Sequence, residues 1–238
     1  AGAYVQVAAQ VDLSVDLVKA GERGIHMSRL YLRLQQELAR HEVTPAGLRQ
    51  ILRSSIDSQS GISTSARLRL RYEALLLRAA LRSDNAGWKR YPVEIDAVLG
   101  PDGLHLVLGV GVEYSSTCPA SAALSRQANA ERFSADFGAG DVGAGEVHDW
   151  LRSERGMAAT PHAQRSLAQV RVTLRDDAAA LPLVELIDAL EAVLATPVQT
   201  AVKREDEQAF AMLNAANLMF CEDAARRVAS VLAADRGL

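Results

Sequence analysis

Residues 88–117, WKRYPVEIDAVLGPDGLHLVLGVGVEYSST, decide the fold. Two runs rich in β-branched and aliphatic residues, near 88–98 and 103–115, flank Gly100-Pro101-Asp102-Gly103. A cluster of turn residues between two strand patterns predicts an antiparallel hairpin. Working back from it, residues 66–74 alternate Leu68, Leu70, Tyr72 and Ala74 against Arg67, Arg69, Arg71 and Glu73. That alternation predicts a half-buried strand, closed by the turn residues Asp84-Asn85-Ala86-Gly87. Residues 5–15 alternate in the same way, from Val5 to Val15.

Helical spacing appears between these strands. Ser28 begins a pattern with Leu30, Leu34 and Leu38. Thr44-Pro45, a capping residue followed by a first-turn proline, starts a second helix that buries Leu48, Leu52 and Ile56. Beyond the hairpin, residues 166–175 alternate again. Pro182 opens a helix through Leu194, Val198 to Val202 reads as a short strand, and a last helix covers about 222–232. The glycine-dotted, polar stretch 126–160 reads as an insertion or mobile loop with a short helix near 146–153. The second half loosely repeats the elements of the first, which gives an α+β chain with antiparallel sheet and helices on one face.

Composition narrows the function classes. Apolar residues make up 49% of the 238, enough for a packed core. The net charge of −3 lacks the basic excess of a nucleic-acid binder. Two cysteines, Cys118 and Cys221, cannot build a disulfide framework, so the chain reads as intracellular. No apolar run has the length of a membrane span, and no signal-peptide pattern is visible. The chain opens at Ala1 without a methionine, so further sequence is expected ahead of it.

Several residues carry candidate chemistry. Cys118 stands just past the long strand pattern, among Ser, Thr and Pro. His162 follows Pro161 at the entry to a strand, with Arg165 close behind. Lys203-Arg204-Glu205-Asp206-Glu207 supplies carboxylates and phosphate-binding cations. One thiol, one imidazole and one carboxylate could meet at a single metal, leaving a position open for catalysis. Gly24-Ile25-His26-Met27-Ser28-Arg29 runs into a helix start, where backbone N–H groups favour anions. Glu222, in Phe220-Cys221-Glu222-Asp223, could accept two N–H bonds from a guanine edge. Each also has a plainer structural reading: a core cysteine, an exposed histidine, a solvated charge run, a helix cap, acids at a helix dipole. There is no phosphate-loop, zinc-finger or Ser/His/Asp pattern. Residue chemistry alone stops at a metal-dependent enzyme with an anionic substrate.

Taken together, five segments resemble the prokaryotic type IB GTP cyclohydrolases, in order and across nearly the whole chain. They are Gly-Ile-His-Met-Ser-Arg (24–29), Cys-Pro-Ala-Ser (118–121), Pro-His-Ala-Gln-Arg-Ser (161–166), Val-Gln-Thr-Ala-Val-Lys-Arg-Glu-Asp-Glu (198–207) and Met-Phe-Cys-Glu-Asp (219–223). The resemblance implies a tunnelling fold of two tandem ββααββ-like units, residues 1–125 and 161–238, separated by the 126–160 insertion. It implies a cytoplasmic homotetramer, without nucleic-acid or membrane partners, that hydrolyses GTP to 7,8-dihydroneopterin triphosphate and formate at the start of folate and pterin biosynthesis. It also implies a divalent metal, zinc or manganese, held by Cys118, His162 and Glu207, with Glu222 anchoring the guanine. Cys118 and His26 are expected to be catalytic, and Arg29, Lys203 and Arg165 to bind substrate.

Three departures from the family pattern stand out. Ala120 replaces a second cysteine, and the gap from Cys118 to His162 is enlarged. The family's closing Glu-Ser-Ile-His-Asn-His-like segment, which supplies a further metal-ligand histidine, does not occur before Leu238, so the second unit is expected to lack its C-terminal part and to hold metal weakly or not at all. The alternatives are another tunnelling-fold pterin or deazapurine enzyme, and a catalytically silent purine-binding assembly protein.

Overall fold

The structure is a computed structural model that describes residues 6–38 and 42–234; Val5, in the first expected strand, and Leu238 lie outside them. Twelve named elements follow in chain order: β1 (Ala9–Val15), α1 (Met27–Leu38), α2 (Pro45–Asp57), β2 (Ala66–Ala79), β3 (Ala86–Gly100), β4 (Gly103–Thr117), α3 (Pro119–Phe137), α4 (Ala144–Arg152), β5 (Ala163–Thr173), α5 (Leu183–Leu194), α6 (Arg204–Ala216) and α7 (Cys221–Ala234). The strands form one antiparallel sheet in sequence order, β1-β2-β3-β4-β5.

The expected hairpin is there, with Gly100 opposite Gly103. Gly103 has φ +111°, a backbone conformation that a side chain would strain. Strand periodicity sends Leu68, Leu70, Ile95, Leu106, Leu108 and Val110 to one face, where all are buried. Leu48, Ile51 and Leu52 of α2 and Leu186, Ile187, Leu190 and Leu194 of α5 close over them in a single core. Each such side chain contributes about 1.5–3 kcal/mol relative to exposure. Thr44 caps α2 as its sequence predicts, accepting the Gly47 N–H at 3.1 Å, with Pro45 in the first turn. A polar knot ties α5 to β3: the buried Tyr91 hydroxyl and Lys89 Nζ each donate to Glu191 at 2.7 Å.

The opposite face is polar and paired with itself. Arg67 forks onto Asp96 (2.8 and 2.6 Å), Arg71 reaches Glu94 (2.9 Å), and Arg171 also pairs with Glu94. The Arg67 guanidinium holds the Asp96 carboxyl below the usual carboxylate range, against the opposing effect of burial. Leu75, Leu77, Trp88 and Leu167 stand exposed on the strands.

β4 pairs with β3 only as far as Val110, while its pairing with β5 continues to Thr117 opposite Ala163. Two later segments bond to the freed edge. Ser115 N–H donates to Thr196 O (2.8 Å), Val198 N–H to Glu113 O (3.1 Å) and Met219 N–H to Thr117 O (3.1 Å).

Three sequence expectations need correcting. Val198 to Val202 is not a strand; only Pro197 forms an isolated bridge, to Tyr114. The segment instead presses on the start of β3, where a Cβ on Gly87 would lie 2.3 Å from Thr200 Oγ1. The charge run 203–207 is not a strand end but the start of α6, whose first turn carries Glu205, Asp206 and Glu207. Finally, 126–137 is not loop, because α3 runs on to Phe137. That helix is built of alanine and polar residues with little apolar periodicity, so spacing could not find it. The expected short helix is present as α4. Trp150 packs edge-on against Phe133 and Phe137 and donates Nε1–H to Asp136 at 2.7 Å.

Candidate active site

The end of β4 is where candidate residues gather. Pro119 occupies the first turn of α3 and holds the preceding residue extended, so Cys118 becomes the N-cap (φ −65°, ψ 122°). Its Sγ accepts the Ser121 N–H at 3.5 Å, and the residue is half-buried. Cys118 N–H donates to the His162 carbonyl (3.3 Å), and His162 N–H donates to Ser121 Oγ (3.1 Å). The two residues, 44 apart in sequence number, are therefore backbone neighbours just beyond the Thr117–Ala163 end of the ladder. His162 is exposed, and its ring has no hydrogen-bond partner among the described residues. Arg165, early in β5, reaches Glu113 at 3.5 Å.

The start of α7 joins the same strand end through the Met219–Thr117 bond. Glu222 lies in its first turn, exposed, with the Cys221 thiol donating to it at 3.3 Å. Its own backbone N–H and that thiol hold the Glu222 carboxyl below its ordinary range, so it is an acceptor at neutral pH. The same carboxylate pushes the Cys221 thiol up.

α6 is anchored by a residue that sequence reading passed over. Asp206 is fully buried and accepts four bonds: Arg82 N–H (2.7 Å), Ser83 N–H (2.9 Å), Ser83 Oγ–H (2.5 Å) and Lys203 N–H (2.8 Å). Burial pushes its carboxyl up, but these donors, Lys203 N–H foremost, overcome it and hold the group well below the usual range. The available signal was its place three residues beyond Lys203, as in a capping box. Lys203 Nζ is paired with Asp84 at 2.7 Å. Glu207 is exposed in the same first turn, its N–H on Lys203 O (3.1 Å) and its carboxylate uncommitted to any partner among the described residues. It is not gathered with Cys118 and His162: among the described residues no three His, Cys, Asp or Glu side chains lie close enough to hold a metal ion.

His26 and Arg29 lie at the other end of the sheet. His26 N–H donates to Gln59 Oε1 (2.7 Å), and Arg29 Nη1 donates to Ser58 O (2.6 Å) and Ser60 Oγ (3.1 Å). Those partners lead into Ala66, which pairs with Leu99 beside the Gly100–Gly103 turn. β4 spans 15 residues from that turn to Thr117, roughly 45 Å at strand rise. No side chain bridges such a gap, so one chain separates the two halves of the expected site.

The donor set fits a divalent metal in chemistry: a thiol sulfur, an imidazole with no partner and a free carboxylate are zinc ligands, and the carboxylate also admits manganese. Cys118 and His162 are backbone neighbours, and Glu207 stands apart from them.

Known proteins place the chain. The model of the family described as type I GTP cyclohydrolase folE2 matches residues 1–238. The chain is 51% identical over 225 residues to GTP cyclohydrolase FolE2 of Pseudomonas putida (strain GB-1), covering 94% of this chain and 74% of that protein. It is 53% identical over 228 residues to the FolE2 of Serratia proteamaculans (strain 568), covering 94% and 73%. The corresponding protein of Citrobacter koseri (strain ATCC BAA-895 / CDC 4225-83 / SGSC4696) is 49% identical over 229 residues, covering 94% and 76%. With half of its residues shared along almost its whole length, this chain belongs to the type I GTP cyclohydrolase folE2 family.

Proposed function

We propose that this chain is a GTP cyclohydrolase that hydrolyses GTP to 7,8-dihydroneopterin triphosphate and formate, the first step of folate and pterin biosynthesis in the cytoplasm. The observation that carries this reading, beside family membership, is the meeting of Cys118, His162 and the start of α7 at one strand end. A divalent metal, zinc or manganese, would be held by Cys118 and His162 with Glu207. When bound, such an ion polarises the substrate and makes water acidic enough to attack at neutral pH.

The chain's own residues do the rest. Glu222 accepts the guanine N1–H and N2–H, a pairing that an ionised carboxylate suits and an amide does not. Arg29, Lys203 and Arg165 neutralise the triphosphate, Lys203 and Arg165 exchanging their exposed pairings with Asp84 and Glu113 for it. His26 moves a proton at the substrate.

Because His26 and Arg29 lie a sheet's length from Cys118, the working site is made by two chains, one giving each end. This supports an oligomer; the homotetramer in the tunnelling-fold arrangement of two ββααββ-like units is what the family resemblance implies. The open edges of β1 and β5 and the exposed Leu75, Leu77 and Trp88 are what such an assembly would cover.

Formate release from GTP tests the proposal, with protein stripped by chelator and supplied again with zinc or manganese. Formate in step with GTP consumption is expected. GTP consumed without formate would point to another pterin or deazapurine enzyme; GTP bound but unchanged would point to a silent purine-binding protein.

A further inference from the structure

We infer that Ser121 is a positioning residue for the candidate metal ligands, holding His162 beside Cys118 across the excursion that separates them. This rests on the metal reading of the site.

The β4–β5 ladder stops at Thr117 and Ala163, one residue short of each ligand. Between Cys118 and His162 the chain leaves the sheet, passes through α3 and α4 and re-enters only at Ala163. The long apolar core ends before this point, and the return segment 160–162 is half to fully exposed. Local contacts must therefore fix where His162 comes to rest: the Cys118 N–H bond to its carbonyl (3.3 Å), and Ser121.

Ser121 touches both ligands at once. Its N–H donates to Cys118 Sγ (3.5 Å) and its Oγ accepts the His162 N–H (3.1 Å). A second tie stands one layer further out, where the Asn129 side chain exchanges two bonds with the Ala159 backbone (3.1 and 2.9 Å). The arm is thus closed at its base by side chains of α3, whatever lies between Asn129 and Ala159. Groups that orient a metal ligand typically change affinity by about 10–100-fold when removed.

Ser121→Ala separates the two contacts, because alanine keeps the N–H to sulfur and loses only the hydroxyl. The test is zinc affinity of metal-free protein, by competition with a chromophoric chelator. It compares wild type, Ser121→Ala, Ser121→Thr and Cys118→Ala, with hydrogen exchange at the His162 amide and thermal unfolding measured alongside. The expected result is about 10–100-fold weaker zinc binding in Ser121→Ala, faster exchange at His162, unchanged unfolding of the metal-free form, and recovery in Ser121→Thr. Zinc bound equally by wild type and Ser121→Ala, but lost in Cys118→Ala, overturns this inference alone. Zinc bound equally by wild type and Cys118→Ala brings down the metal reading and this inference with it.

Discussion

If the site draws one end from each of two chains, two dead variants should revive each other. Cys118→Ala removes a proposed ligand at the Thr117 end of β4, and Arg29→Ala removes a proposed phosphate contact at the Gly103 end. The roughly 45 Å between those ends, from 15 residues of strand, forbids a single chain from supplying both. In an equal, randomly reassembled mixture each site has even odds of an intact donor on either side, so about one quarter of sites should be whole. Formate release from GTP should then recover to about 25% of wild type, while each variant alone stays near background. Differently tagged variants, purified through both tags, verify that chains have exchanged. Mixed assemblies that remain inactive would refute the argument, because a site housed in one chain gains nothing from a neighbour.

Three further outcomes are expected. Glu222→Gln should weaken GTP binding on the order of 100-fold by calorimetry, since a carboxamide presents a donor to a donor, with unfolding unchanged because Glu222 is exposed. Asp96→Asn should cost about 1.5–3 kcal/mol at neutral pH in denaturant unfolding, the worth of hydrogen bonds to a charged group. Its carboxyl is depressed in the folded state, so wild type holds the advantage above the unfolded value of about 3.9 and loses it as pH falls through the lower folded value. The gap between the two proteins should therefore close in acid. Hydrogen exchange should be faster in α3 beyond Asn129 and in α4 than in β4, because the arm packs mainly on its own Phe133, Phe137 and Trp150; equal protection would place the arm in the core.

What the sequence made legible follows from how each element is stabilised. β2, β3 and β4 could be read because one face of each is buried, which forces alternation. The same holds for α2 and α5, whose leucines face the sheet. α3 and α6 escaped notice because neither buries a continuous stripe: α3 buries only Ala122 and Ser125, and α6 only Asp206. At the site, motif order pointed to Cys118, His162 and Glu222, and backbone bonds bring their segments to one strand end. Glu207 is implied by the family resemblance, yet what sets its place is its buried neighbour Asp206, which holds Lys203 three residues away and also Arg82 and Ser83, more than a hundred residues away in sequence. The separation of Arg29 from Cys118 could not be read at all, since it depends on which end of the sheet each loop reaches.

The sequential strand order also sets a timetable. β2, β3 and β4 are joined by turns of a few residues, so their pairing closes short loops and is kinetically cheap. β1 must wait for the whole α1–α2 excursion before it meets β2, and β5 for the α3–α4 arm before it meets β4. The central meander is thus expected to form first on its core face, with both edge strands arriving late. His162 directly precedes one of those latecomers, so its meeting with Cys118 is expected to wait until β5 has docked.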